Sequence, residues 1–296
     1  MTRKGIILAG GSGSRLHPVT LAVSKQLLPV YDKPMVYYPL SALMLAGIRQ
    51  VLVITAPDAA GGFRRMLGDG TQWGIELTYA VQARPEGLAQ ALVIGEDYLG
   101  GGPSCLVLGD NLLYGHGLSE MLTRSANREA GATVFAYRVE DPHRYGVVDF
   151  DGAGRARSIE EKPTAPKSAW AVIGLYFYDG SAPERARKLE PSARGEYEIT
   201  DLNLSYLADG ALHVEALGRG FAWFDAGTHA SLLEAAEFIR VIQHRQRHLI
   251  ASPEEIAFTA GWIGADDLAR QAERLKSTEY GRALAALLDE GKPPGG

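Results

Sequence analysis

A single cysteine among 296 residues, Cys105, excludes any disulfide framework within the chain. It sits in the apolar run CLVL (105–108), where a small thiol reads as core packing rather than as a nucleophile. No run of eighteen or more apolar residues occurs, so no membrane-spanning helix is expected. The first apolar segment covers only Ile6 to Ala9 and has no small-residue cleavage pattern behind it. A secretory leader is therefore not expected, and a cytoplasmic protein is. His17, His116 and the other histidines lack H-E-x-x-H or Cys/His spacing, which argues against zinc. Internal repeats are absent, and a KPPGG tail (292–296) is expected to fray.

Acidic residues are also missing from the first thirty-one positions, although the chain carries a formal net charge of -5. This local bias suits a small phosphorylated ligand rather than a nucleic acid backbone. The segment from Gly5 to Pro34 reads GIILAGGSGSRLHPVTLAVSKQLLPVYDKP. Ile6, Ile7 and Leu8 have the unbroken apolar character of a buried parallel strand. Gly10, Gly11 and Gly13 begin where that strand should end, and without Cβ atoms their N–H groups can converge on an anion. Arg15 and Lys25 add positive charge. The Walker pattern fails, because Gly11 is followed by Ser12, Gly13, Ser14, Arg15 and Leu16. The dinucleotide pattern G-x-G-x-x-G fails at Leu16. GGSGS alone reads equally well as a surface turn; with Arg15, Lys25 and the strand it reads as a triphosphate grip.

With 46% hydrophobic residues and 35 glycines, the chain can bury a substantial α/β core. VLVIT (51–55), LTYAV (77–81), CLVL (105–108) and TVFAY (133–137) read as strands, separated by helical patterns at 39–46, 87–99 and 118–129. This alternation predicts a largely parallel sheet covered by helices on both faces, with ligands at the carboxyl ends of its strands. The second half is richer in strands. From about Ser231 onward the pattern is helical, with breaks at Pro253 and near Gly261.

Asp110 follows CLVLG, so a buried strand would deliver its carboxylate to the sheet edge, where it could bind Mg²⁺ or simply cap a turn. Lys162 lies in SIEEKP, which taken alone reads as a solvated charge run. Gln82 carries an amide donor and acceptor that could meet a ligand, or it could be a surface residue at a strand end.

Beyond the first thirty residues come RPEGLAQA (84–91), VLGDN (107–111), RYGVV (144–148), EEKP (160–163), GLYFYD (174–179), GEYEITDLN (195–203) and WFDAGTH (223–229). Together with GIILAGGSGSRL, Lys25 and QLLPVYDKP, these ordered motifs resemble the sugar-phosphate nucleotidyltransferases, in their thymidylyl-transferring branch, over nearly the whole chain. Ser14 replaces a threonine common in that family, and Glu86 an aspartate. The resemblance implies a Rossmann-like three-layer core with a mainly parallel mixed sheet over residues 1–240, followed by a helical accessory or oligomerisation region at 241–296. It also implies Mg-dependent transfer of thymidylyl from dTTP to α-D-glucose 1-phosphate, the first step of dTDP-L-rhamnose or related deoxysugar synthesis. Carried over residue by residue, Leu8, Gly10, Gly11, Gly13, Ser14, Arg15, Lys25, Gln26, Gln82 and Gly87 would bind the nucleotide. Asp110, Tyr145, Gly146, Glu161, Lys162 and Val172 would bind the sugar phosphate, and Asp110 and Asp225 the metal. Tyr114, Gly115, Arg219, Glu255 and Ile256 match an additional regulatory nucleotide site, although PEEIA (253–257) reads equally well as an ordinary helix start. A homo-oligomer, tetramer or dimer, is the family expectation, with no nucleic-acid or membrane partner. Rival readings are the same reaction with UTP or another triphosphate, and a catalytically silent nucleotide-sugar sensor.

Overall fold

The computed structural model describes residues 1–290; the KPPGG segment lies outside the described residues. The apolar run after Lys4 is β1 (Lys4–Ala9), buried from Gly5 onward. Two short hairpin strands, β2 (Pro29–Val30) and β3 (Lys33–Pro34), precede α1 (Tyr37–Leu45), β4 (Gln50–Thr55), α2 (Ala60–Leu67) and β5 (Glu76–Val81). Then come α3 (Gln90–Ile94), α4 (Glu96–Leu99), β6 (Ser104–Leu108), β7 (Leu112–Tyr114), α5 (Leu118–Ala126) and β8 (Ala132–Arg138). The second half adds β9 (Gly146–Phe150), β10 (Ala156–Glu161), β11 (Trp170–Tyr178), α6 (Ala182–Arg187), α7 (Ile199–Ala208), β12 (Leu212–Leu217) and β13 (Ala222–Phe224). Four helices close the described chain: α8 (His229–Gln246), α9 (Pro253–Thr259), α10 (Ala265–Arg274) and α11 (Glu279–Glu290).

β1 lies between β4 and β6, parallel to both, and β5 continues the parallel run beyond β4. A strand paired on both edges and covered on both faces reads as continuous aliphatic sequence. Its side chains alternate between two cores: Ile6 and Leu8 join Leu92, Leu106 and Tyr206, while Ile7 and Ala9 join Leu43, Phe63 and Phe258. This is the three-layer arrangement. The strands expected at 51–55, 77–81, 105–108 and 133–137 are β4, β5, β6 and β8 to within one residue at each end. The single helix expected over 87–99 is corrected: 87–89 is loop, and the remainder is split at Gly95. There the backbone presses on β1, and a Cβ would stand 2.9 Å from Ile6 Cδ1.

The strand that shapes the site is β11, antiparallel to β6, β8 and β9. Leu175–Tyr178 pair with β6, whereas the earlier part of β11 outruns β6 and meets β9 at Ala171↔Val147. The sheet therefore forks beyond the carboxyl end of β6. The chain leaving β1 and β6 enters that fork, and β9 and β10 wall it.

A domain boundary at 240/241 falls inside α8, which runs unbroken to Gln246; the next interruption is at 247–252. Beyond it, α9 packs on α1 and on the turn Thr71–Trp73. Gly74 makes that approach possible: its φ is +65° and a Cβ would stand 2.6 Å from the carbonyl oxygen of Trp262. Gly74→Ala is expected to lower stability by about 1–3 kcal/mol in equilibrium denaturation, through left-handed strain and the backbone clash together.

Candidate active site

The glycine turn after β1 is held by its own backbone. Gly13 is left-handed (φ +62°), and its carbonyl accepts hydrogen bonds from Leu16 N (2.9 Å) and Thr20 Oγ1 (2.8 Å). Its φ favours glycine, and a Cβ there would stand a tight 3.2 Å from side-chain atoms of both Lys25 and Thr20. Leu16 is fully buried and anchors the turn, leaving Ser14 and Arg15 exposed. The Arg15 guanidinium lies over Gly227, where a Cβ would stand 2.8 Å from Nη2. Ten residues later, Lys25 and Gln26 open a short 3₁₀ turn and are both buried. Lys25 Nζ donates to Asp110 Oδ2 at 2.5 Å, with 7% and 25% of the two side chains exposed. Gln26 packs on Gly109, and its Oε1 accepts from Ser24 Oγ at 2.7 Å.

Asp110 stands directly beyond β6, and the chain continues into β7, so it caps no helix. Its other oxygen accepts from Asn111 Nδ2 at 3.0 Å. Asn111 Oδ1 in turn accepts from Gly174 N in β11 (2.9 Å) and from Trp223 Nε1 in β13 (2.7 Å), which ties two strands and the Asp110 turn to one amide. β7 and β13 pair antiparallel and end at Leu112↔Phe224. One step further along both strands are Asn111 and Asp225, so the ladder places Asp225 beside the Asp110 turn. Asp225 does not cap α8. Thr228 does, its hydroxyl accepting from Ser231 N in a reciprocal capping box. Asp225 faces Arg144 Nη2 at 3.9 Å, and the next residue, Ala226, is fully buried with φ +33°. A non-glycine residue held in that region marks a turn that its surroundings over-determine.

On the other wall of the fork, Glu161 ends β10 opposite Gly146, the first residue of β9. A Cβ at Gly146 would approach Thr200 Oγ1, Glu161 Oε2 and Val172, so the glycine leaves a recess between them. Glu161 Oε2 accepts from Thr200 Oγ1 (2.6 Å) and Oε1 from Arg194 Nη2 (3.2 Å). Lys162 has φ +43°, donates its backbone N–H to Tyr145 O (2.9 Å), and places its half-exposed ammonium 3.5 Å from Glu161. A non-glycine residue held at that φ marks a constrained corner. The Tyr145 ring meets Trp223 edge-on at 5.2 Å. Its hydroxyl pKa is raised by burial and, secondarily, by the nearby Asp225 charge.

A cavity of about 200 Å³ opens beside the glycine turn, lined by Leu8, Gly11, Gln26, Gln82, Pro85, Gly87, Leu88, Leu108, Asp110 and Glu196. Gln82 is buried there, not on the surface, and packs against Gly10. Asn111, Thr200, Arg194 and Trp223 escaped the reading of single residues, although three of the four lie within motifs quoted above. Tyr114 and Gly115 lie beside the 218–221 turn that carries Arg219: Gly115 abuts Phe221, and Tyr114 OH donates to Gln246 Oε1 at 2.8 Å. Glu255 is buried on α9, 2.8 Å from His248 Nε2, so both groups reach the segment at the end of α8. Ser252 caps α9 and Pro253 opens it, as an ordinary helix start requires. Cys105 is wholly buried, and burial pushes its thiol pKa up, away from nucleophile chemistry.

A family model described as Nucleotidyl transferase matches residues 4–241. A glucose-1-phosphate thymidylyltransferase from Xanthomonas campestris pv. campestris (strain B100) is 61% identical over 289 residues, 98% of each chain. Enzymes of the same name from Neisseria gonorrhoeae and Mycobacterium tuberculosis (strain H37Rv) are 59% and 54% identical, with 96% and 97% of this chain and 99% of each relative covered. Among solved structures, a Bacillus anthracis protein described as a glucose-1-phosphate thymidylyltransferase, in complex with sucrose, superposes with a TM-score of 0.75 at 40% identity. The match covers 81% of this chain and 96% of that one. A UDP-glucose pyrophosphorylase bound to UDP-glucose has a TM-score of 0.70 at 22% identity, covering 84% of this chain and all of that one, a likeness of fold. Among the described residues, no helix is long and apolar enough to cross a membrane.

Proposed function

The chain belongs to the glucose-1-phosphate thymidylyltransferases of the nucleotidyl transferase family, and from this premise we propose that it joins dTTP and α-D-glucose 1-phosphate into dTDP-glucose, releasing pyrophosphate. The observation that carries the reading is the fork itself. A glycine turn with Arg15 and Lys25 stands on one side, the Glu161–Lys162 corner with Gly146 and Val172 on the other, and Asp110 between them. No protein nucleophile is needed. The sugar phosphate is already anionic at neutral pH, so its oxygen attacks the α-phosphorus of the triphosphate in line and pyrophosphate departs. In this reading the turn amides of Gly10 to Ser14 and Lys25 hold the triphosphate, and Arg15 offsets charge on the leaving pyrophosphate. Lys162 brings up the attacking phosphate while Glu161, fixed by Thr200 and Arg194, accepts from sugar hydroxyls. Gln82 and the Gly87 backbone meet the base in the cavity.

The donor set at the fork fits magnesium: two carboxylates at adjoining strand ends, each beside a cation that an arriving phosphate can take over. Asp110 and Asp225 would hold the ion, which when bound offsets charge between the two phosphate groups. On the same resemblance, Tyr114, Gly115, Arg219, Glu255 and Ile256 are proposed as a separate effector site, and the chain as a cytoplasmic dimer or tetramer.

The test is pyrophosphate release from glucose 1-phosphate and Mg²⁺ with each nucleoside triphosphate in turn. Release is expected to be fastest with dTTP. UTP should follow, because loss of one methyl contact costs only about 1–3 kcal/mol. No release with any pair, from protein that still binds nucleotide sugar, would favour a sensor.

A further inference from the structure

A glutamine amide is ordinarily ambiguous as to which end is oxygen, but here a chain of partners decides it. Glu86 Oε2 accepts from Gln90 Nε2 at 2.7 Å, and a carboxylate has no hydrogen to give, so the Gln90 NH₂ must face it. That leaves Gln90 Oε1 to accept from Gln82 Nε2 (2.6 Å) and from Glu86 N (3.3 Å). Gln82 Nε2 also points to Gly87 O at 3.4 Å, which uses its second hydrogen. Gln82 Oε1 therefore faces the other way. It lies where a Cβ on Gly10 would stand 2.3 Å from it, at the wall of the 200 Å³ cavity, and no donor among the described residues reaches it. The backbone N–H groups of Gly87 and Leu88, on the same wall, likewise have no acceptor among the described residues. The loop cannot swing away. Tyr197 N donates to Glu86 O (2.7 Å), Ala89 N donates to Tyr197 O (3.2 Å), and a Cβ at Gly87 would stand 2.4 Å from Tyr197 O.

We propose that Glu86 and Gln90 are positioning residues that lock the Gln82 carbonyl toward the base, making the cavity selective for an edge that sets a ring N–H beside a carbonyl. Thymine and uracil present that pair at N3 and C4; cytosine presents there a bare ring nitrogen beside an amino group, the reverse at both positions. The proposal rests on assigning this cavity to the nucleobase. Reversing the relay should weaken the preference, since only the Gly87 carbonyl and the Glu86 N–H would still favour the parent orientation. A lysine at position 86 only donates, so it turns the Gln90 oxygen toward itself, the Gln90 NH₂ toward Gln82, and the Gln82 NH₂ toward the base.

Calorimetric binding of dTDP and dCDP reads this without turnover. In Glu86→Lys the dTDP-over-dCDP preference is expected to fall by about tenfold or more, the effect of one mispaired buried polar contact. Glu86→Gln, able to give or take, should lose less, and it keeps the test open if the lysine variant fails to fold. An unchanged preference in a folded variant, or no preference in the parent protein, overturns the proposal. Selective dTDP binding by a parent that releases no pyrophosphate would overturn the reaction while leaving the relay in place.

Discussion

Replacing Arg15 by alanine is expected to lower pyrophosphate release from dTTP and glucose 1-phosphate by about two orders of magnitude or more, with little change in melting temperature. Arg15 is exposed at the end of the glycine turn, and Leu16, not Arg15, anchors that turn in the core. Losing its side chain should therefore leave the fold intact. In the proposed reading it is the cation beyond the turn and against Gly227, where charge would accumulate as pyrophosphate leaves. A donor aimed at charge that develops only in the transition state lowers turnover when removed, more than it weakens binding. The signature is thus a fall in kcat with KM for dTTP within severalfold of the parent. A folded Arg15→Ala protein with undiminished kcat would take Arg15 out of the chemistry and leave it a surface charge.

Arg15 stood out as a candidate because its environment is local: strand, glycines and cation follow one another within a dozen residues. The strands were legible for the same kind of reason, since β4, β6 and β8 are buried on both faces and announce themselves as apolar runs. The split between α3 and α4 was not. Helical periodicity continues through Gly95, and the interruption falls on a glycine whose added Cβ would stand 2.9 Å from Ile6 Cδ1, a contact invisible in the sequence. The fork was beyond sequence as well, because it depends on β11 outrunning β6, a matter of pairing rather than of composition. Asn111 illustrates the limit: an asparagine after an aspartate reads as a turn, yet its one side chain joins β11 and β13 to the Asp110 carboxylate. Lys162 was ambiguous between solvent and site, and its left-handed backbone, invisible in EEKP, favours the site. The resemblance supplied Asp225, whose neighbours Trp223 and Phe224 suggest only packing.

Asp110→Asn carries the other large expectation, because Asp110 does two things at once. Its Oδ2 is the partner of a Lys25 ammonium almost closed to solvent, and in the proposed reading it is one of the two carboxylates that would hold a divalent ion. Asparagine keeps the shape and the bond with Asn111, but it removes the charge. The uncompensated lysine should cost stability, by about 1–3 kcal/mol, less than for a fully buried pair because Asp110 is itself 25% exposed. Turnover should fall much further, by about three orders of magnitude, since charge compensation between two phosphate groups is the main work this site has to do. The two losses separate by experiment. Lys25→Met combined with Asp110→Asn removes the stranded cation and is expected to recover stability in denaturant titration without recovering turnover, while chelation of magnesium silences the parent protein. Parent-like kcat for a folded Asp110→Asn protein at saturating Mg²⁺ would mean that Asp110 serves only to neutralise Lys25, and that the ion is held elsewhere.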